Sequence, residues 1–166
     1  MITLVTGGVK SGKSRRALEL CGQWTRPVTF LATAEVLDDE MRMRIKRHKA
    51  ERSGLGFITV EEPLDMKDAL GRSGDYVLVD CLTMWVNNLM YRQLEADFSL
   101  RLGAFIDGLL GKSGAIVVSN ETGLGNIPSN ELTRRYNLLL AEANRRMAAA
   151  ASRVEFMVAG IPLIVK

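Results

Sequence analysis

Gly7-Gly8-Val9-Lys10-Ser11-Gly12-Lys13-Ser14 follows at once on the apolar run Ile2-Thr3-Leu4-Val5-Thr6 and leads into a helical-looking segment, residues 15–24. The spacing is G-x-x-x-x-G-K-S, a phosphate-binding P-loop. Its glycines let backbone N–H groups converge on phosphate oxygens, and the following helix turns its positive end the same way. In such a loop Lys13 reaches the β- and γ-phosphates and the Ser14 hydroxyl ligates Mg²⁺. The loop lies between a strand and a helix, as the motif requires, so the chain is expected to bind a nucleoside triphosphate.

Working outward, apolar runs alternate with helix-period segments. Strands are expected at residues 2–6, 28–31, 57–60, 76–80, 115–119, 154–158 and 163–165. Helices are expected at 14–24, 40–52, 64–70, 83–94 and 99–110, and from a cap at Ser129 or Asn130 to about 151. Near-continuous apolar strands separated by helices predict an α/β fold with a mainly parallel sheet and helices on both faces. The last two strands, joined through Gly160-Ile161-Pro162, are expected to place an antiparallel strand at one edge. No linker, internal repeat or low-complexity stretch divides the chain, and residues 1–166 are expected to form one nucleotide-binding domain.

The chain has 166 residues, 47% hydrophobic and 25% charged, with a formal net charge of +3. That length suits one sizeable core. A polyanionic nucleotide accounts for the mild positive charge as well as nucleic acid would, and no basic tail is present. The two cysteines, Cys21 and Cys81, lie in apolar segments and read as buried free thiols of a reducing compartment. The N-terminus shows no signal-peptide pattern, and the apolar stretch at 154–165 is broken by Gly160 and Pro162, so no membrane insertion is expected. A cytoplasmic protein is expected.

Two further groups stand out. Asp80 ends the apolar strand at 76–80, where it reads either as a helix cap or as the carboxylate that holds Mg²⁺ opposite Ser14; beside a P-loop the metal role is expected. His48 is the sole histidine and lies within Arg44-Ile45-Lys46-Arg47-His48-Lys49-Ala50-Glu51-Arg52. On a helix Arg44, His48 and Arg52 share one face. Positive neighbours favour a neutral imidazole, which is a nucleophile in a setting that attracts phosphate esters. An exposed residue on a solvated basic helix is the other reading, and spacing leaves both open. The glycine-rich loop at 120–128 is either a wall over a ligand or a surface connection.

Several motifs together resemble a known family. They are Val5-Thr6-Gly7-Gly8 through Lys13-Ser14, Leu37-Asp38-Asp39-Glu40-Met41, Arg44-Ile45 with His48, and Asp80-Cys81-Leu82-Thr83. Ser119-Asn120-Glu121-Thr122-Gly123-Leu124-Gly125 with Pro128, and Ala159-Gly160-Ile161-Pro162, complete the set. In order and over nearly the whole chain, they resemble the bifunctional adenosylcobinamide kinase / adenosylcobinamide-phosphate guanylyltransferase of cobalamin biosynthesis. The resemblance implies a RecA-like P-loop fold and a homotrimer. It implies phosphorylation of adenosylcobinamide by ATP or GTP, then transfer of GMP from GTP through a histidine adduct to adenosylcobinamide phosphate.

By motif position it places the nucleophile on His48 and phosphoryl-transfer catalysis on Lys13. Nucleotide contacts fall on Gly7, Gly8, Val9, Lys10, Ser11, Gly12, Lys13 and Ser14, on Ala32, Thr33 and Ala34, on Lys49, Ala50, Glu51 and Arg52, and on Glu61 and Asp80. Mg²⁺ falls to Ser14 and Asp80. Val9-Lys10 departs from the Ala-Arg expected in the family, keeping the charge and losing bidentate geometry. A generic P-loop small-molecule kinase would leave His48 without a task, and a nucleotide-dependent regulatory protein would need no acceptor substrate.

Overall fold

The first strand, β1 (Ile2–Gly7), is buried along its whole length because a strand pairs with it on each side. The computed structural model describes residues 1–25, 27–35, 39–125 and 127–166, leaving aside the side chains of Glu40, Arg44 and Glu51. The other strands are β2 (Val28–Ala32), β3 (Ile58–Glu61), β4 (Tyr76–Asp80), β5 (Gly114–Val118), β6 (Arg153–Val158) and β7 (Ile161–Ile164). They form one seven-stranded sheet in the order β3-β2-β4-β5-β1-β6-β7. Every pair is parallel except β6 with β7.

Side chains two apart on a strand share a face, and the core divides accordingly. Val5, Phe30, Leu78, Ile116, Val118 and Met157 pack with Ala17 and Cys21 of helix α1 (Lys13–Cys21). Leu4, Leu31, Val79 and Val117 pack on the opposite face. That face is covered by α3 (Met66–Gly71), α4 (Leu82–Tyr91), α5 (Phe98–Leu110) and α6 (Glu131–Ala150). Asn130 caps α6, its side chain accepting from Thr133 N–H at 3.1 Å.

The remaining helix, α2 (Asp39–Glu51), differs: none of its described side chains is buried. Met41 and Ile45 are half-buried and Met43 is exposed, so the expected apolar side reaches the protein only in part. Of the acids expected to lead this helix, Asp38 lies outside the described residues, as does Leu37 of the same motif.

Three boundaries differ from expectation for local reasons. α1 stops at Cys21, not Trp24, because Gly22, Gln23 and Trp24 turn their N–H groups back onto Leu18, Leu20 and Cys21. α4 ends at Tyr91, and Gln93 at φ 56° opens a turn that leads to a single 3₁₀ turn, Glu95–Asp97. The closing hairpin turns at Ala159-Gly160, both at positive φ, and not at Gly160-Ile161-Pro162. Pro162 sits inside β7, where an edge strand tolerates its missing N–H. Cys81 is half-buried, whereas Cys21 is buried as expected, and the two thiols form no disulfide.

Candidate active site

The P-loop turns on two glycines. At Gly7, φ is 145°, and a Cβ would lie 2.6 Å from the Met157 carbonyl and 2.9 Å from Ser11 Oγ. At Gly12, φ is 97° and the chain passes into α1 without a side-chain cap, so the first-turn N–H groups face the loop. Ser11 N–H donates to Gly8 O at 3.3 Å and its carbonyl accepts from Gly160 N–H at 3.0 Å, which ties the loop to the closing hairpin. The Lys13 side chain is buried and its ammonium donates to the Gly8 carbonyl. Val9 and Lys10 form the exposed crest of the loop.

At the C-terminal edge of the sheet, Asp80 pairs in register with Ala32 of β2 and Val118 of β5. Asp80, Ser14, His48 and Arg52 line one cavity, floored by Ala17, Leu18, Phe30, Leu78 and Val118. His48 Nδ1 lies 3.7 Å from Asp80 Oδ2, beyond hydrogen-bond length. The basic helix thus faces a carboxylate that its own sequence pattern did not show. Arg52 is buried just past the end of α2, with its guanidinium 3.9 Å from the centroid of the Phe30 ring. Burial lowers its pKa, while Asp80 and Glu61 act in the opposite direction. The guanidinium makes no hydrogen bond to a described residue, so its N–H donors are available to an anion.

The other expected contacts divide. Lys49 and Glu61 pair with each other at 2.6 Å, both largely exposed. With Arg52 they border an open cavity of about 650 Å³ that also takes in Gly54, Gly56 and Phe57. Ala50 is exposed, and its carbonyl accepts from Ser53 Oγ at 2.8 Å. The side chains of Glu51 and of Arg44, the expected face-mate of His48, lie outside the description. Thr33 is fully buried, and its hydroxyl accepts from Cys81 N–H and donates to Cys81 O, both at 2.8 Å. It anchors the loop after Asp80, leaving the half-buried Ala32 and Ala34 as the outward positions.

Among the described residues no three His, Cys, Asp or Glu side chains gather into a metal site. Mg²⁺ held by one hydroxyl, one carboxylate and the phosphates of a nucleotide needs no such cluster, so Ser14 and Asp80 fit it.

Two arrangements escaped the sequence. Glu155, fully buried, accepts from Arg16 (Nε–Oε2 2.8 Å, NH2–Oε1 3.1 Å) and from Arg153 Nε at 2.7 Å. These hydrogen bonds, chiefly that from Arg16, hold its carboxyl below the usual range against the opposing effect of burial. Glu121 sits against the start of the P-loop, joined to Thr6, Gly7 and Asn144. Its place in the loop at 120–128 was visible, but its partners were not. Asn126 of that loop lies outside the described residues.

The cobinamide kinase / cobinamide phosphate guanyltransferase family model matches residues 3–165. The chain belongs to that family. Family relatives match along the chain's whole length. A bifunctional adenosylcobalamin biosynthesis protein CobP from Pseudomonas aeruginosa is 40% identical over 174 residues, covering 100% of this chain and 98% of that protein. The bifunctional proteins CobU from Salmonella typhimurium and Escherichia coli are 34% and 32% identical, with 100% of each chain covered. In three dimensions this family member resembles the RadB recombinase at a TM-score of 0.50 and 18% identity, covering 93% of this chain and 73% of that one. That likeness establishes the RecA-like P-loop fold alone.

Proposed function

We propose that this member of the cobinamide kinase / cobinamide phosphate guanyltransferase family performs both family reactions at one edge of its sheet, with His48 as the guanylyl acceptor. It is a bifunctional transferase of adenosylcobalamin biosynthesis. The observation that carries the His48 assignment is the convergence of His48, Arg52, Asp80 and Ser14 on one cavity beside the P-loop.

In the kinase reaction the P-loop N–H groups and Lys13 hold the triphosphate, drawing charge from the γ-phosphoryl group as it moves to the aminopropanol hydroxyl of adenosylcobinamide. Ser14 and Asp80 would hold Mg²⁺, which supplies charge neutralisation on the phosphate oxygens. In the second reaction an imidazole nitrogen of His48 attacks the α-phosphorus of GTP, forming an N–P bond as the bond to pyrophosphate breaks. Arg52 donates to the α-phosphate oxygens, and its desolvation strengthens that interaction. The phosphate oxygen of adenosylcobinamide phosphate then displaces the imidazole, giving adenosylcobinamide-GDP and restoring His48. The enzyme adduct replaces one difficult displacement by two easier ones.

The open cavity at Lys49, Arg52 and Glu61 suits the nucleoside. One domain carrying both activities, ATP or GTP as phosphoryl donor, a homotrimer and a cytoplasmic location complete the reading. Association with other copies is favoured by the exposed apolar row Val158, Ile161, Leu163, Ile164 and Val165 at the β6–β7 edge, where pairing or packing with another copy would cover it. No helix among the described residues is long and apolar enough to cross a membrane.

The test is a two-stage assay. The protein is incubated with adenosylcobinamide, ATP and Mg²⁺, then with GTP, and corrinoid products are separated. Adenosylcobinamide phosphate followed by adenosylcobinamide-GDP is expected. Accumulation of the phosphate alone with wild type would remove the second activity from this chain, and sedimentation as a monomer would remove the trimer.

A further inference from the structure

The kinase reaction needs a group to receive the proton of the acceptor hydroxyl, and the groups described so far have other tasks. Lys13 is a cation in the loop, and Asp80 faces His48 and the metal position. Around the C-terminal edge of the sheet the other described carboxylates are committed to cations. Glu35 accepts from Arg92 at 2.9 Å, Glu61 from Lys49 at 2.6 Å, and Glu62 from Arg72 at 3.2 Å. Glu121 is different: it forms no ion pair with a described residue.

Its placement is rigid. Glu121 N–H donates to the carbonyl of Gly7, the first P-loop residue, at 3.1 Å. Its Oε1 accepts from Thr6 Oγ1 at 3.1 Å and from Asn144 Nδ2 at 2.9 Å. Asn144 is itself fixed, donating to Asn120 O at 2.9 Å and accepting from the buried Ser119 Oγ at 2.6 Å. The residue is half-buried, and Oε2 makes no hydrogen bond to a described residue. One oxygen is therefore held by two donors and the other is left for a proton donor from outside. Thr6 faces the α6 side of the sheet, whereas the cavity of His48 lies on the α1 side. Glu121 thus flanks the P-loop on the side away from the guanylylation residues.

A negative group next to a polyphosphate site is unfavourable unless it has something to accept. We infer that Glu121 is a catalytic residue of the kinase reaction, its Oε2 accepting the proton of the aminopropanol hydroxyl. The hydroxyl oxygen bonds to the γ-phosphorus as the bond from phosphorus to the β-bridging oxygen breaks, the nucleoside diphosphate leaves, and the hydroxyl proton passes to Glu121, which later loses it to solvent. The acceptor alcohol would then approach over residues 119–121, and the two reactions would use opposite flanks of one P-loop. This inference rests on the kinase activity of the family and is independent of the role given to His48.

The experiment compares wild type, Glu121→Gln and Glu121→Asp in phosphorylation of adenosylcobinamide at saturating ATP and Mg²⁺, with kcat and KM measured across pH. Gln keeps an acceptor for Thr6 and Asn144 and cannot take the proton. It is expected to lower kcat by about 10²-fold or more, to change KM for the corrinoid by less than about threefold, and to lose the acid limb of the pH profile. Asp, with a shorter reach, is expected to lose rate and keep the limb. Near-normal kcat in Glu121→Gln or an unchanged acid limb would overturn the inference. If Glu121→Gln fails to fold, loss of the limb in Glu121→Asp overturns it. Failure of wild type to phosphorylate adenosylcobinamide would instead contradict the family activity.

Discussion

Helices α1 and α2 border the same cavity, yet they are held in opposite ways. α1 lays Lys13, Ala17 and Cys21 against the sheet at four-residue spacing, and Arg16 is fastened to the buried Glu155. α2 buries none of its described side chains, and just past its end Arg52 reaches inward, onto Phe30. The comparison separates two jobs. A triphosphate grip benefits from donors fixed before the ligand arrives, since no reorganisation is then needed during reaction. On the function proposed above, α2 carries a nucleophile that would meet GTP and later adenosylcobinamide phosphate, and its few apolar contacts place it at the low end of local stability.

The contrast can be broken most forcefully at the grip. Lys13→Ala should reduce phosphorylation of adenosylcobinamide by about 10²–10³-fold, read as initial rate at saturating corrinoid. Near-normal activity would mean that the P-loop does not hold the transferred phosphate.

At the back of α1, Glu155→Gln should cost about 1–3 kcal/mol in denaturant unfolding, since it removes a carboxylate that accepts three charge-assisted bonds. The loss should depend on pH. The folded carboxyl is held below its unfolded value, so its stabilisation is complete above the unfolded pKa of about 4.3 and disappears as pH falls through the lower folded value. The gap between variant and wild type should therefore narrow in acid. A gap that stayed constant or widened there would show that the clamp acts without its charge.

The smallest effect belongs to α2. Ile45 is half-buried, and Ile45→Ala should cost less than about 1 kcal/mol, well below the roughly 2–5 kcal/mol of a core truncation such as Leu31→Ala. Hydrogen exchange should show the same order, with α2 amides exchanging faster than those of α1. Equal protection would erase the distinction between the two helices.

The parts of this account that were legible in the sequence are those governed by local periodicity. The apolar strands, the P-loop glycines and a cap at Ser129 or Asn130, which the structure places on Asn130, announce themselves within a few residues. Asp80 was readable because it ends an apolar strand beside that loop. What could not be read depends on distant residues meeting. Thr6 and Glu121 are 115 positions apart, and only the pairing of β1 with β5 brings them together. Phe30 looked like one more core residue until the chain after α2 laid Arg52 on its ring. His48 was ambiguous for the same reason: a basic helix shows its own charges and not the carboxylate across the cavity. The hairpin turn was misplaced because Pro162 looked like a turn residue, although an edge strand accommodates it.

The central claim, that the weakly packed helix carries the group that takes GMP, is tested by incubation with α-labelled GTP and Mg²⁺, followed by denaturation and separation of the protein. Wild type should carry an acid-labile, alkali-stable label, and His48→Ala should carry none. A label of equal amount on His48→Ala, or none on a wild type that still makes adenosylcobinamide-GDP, would contradict the account.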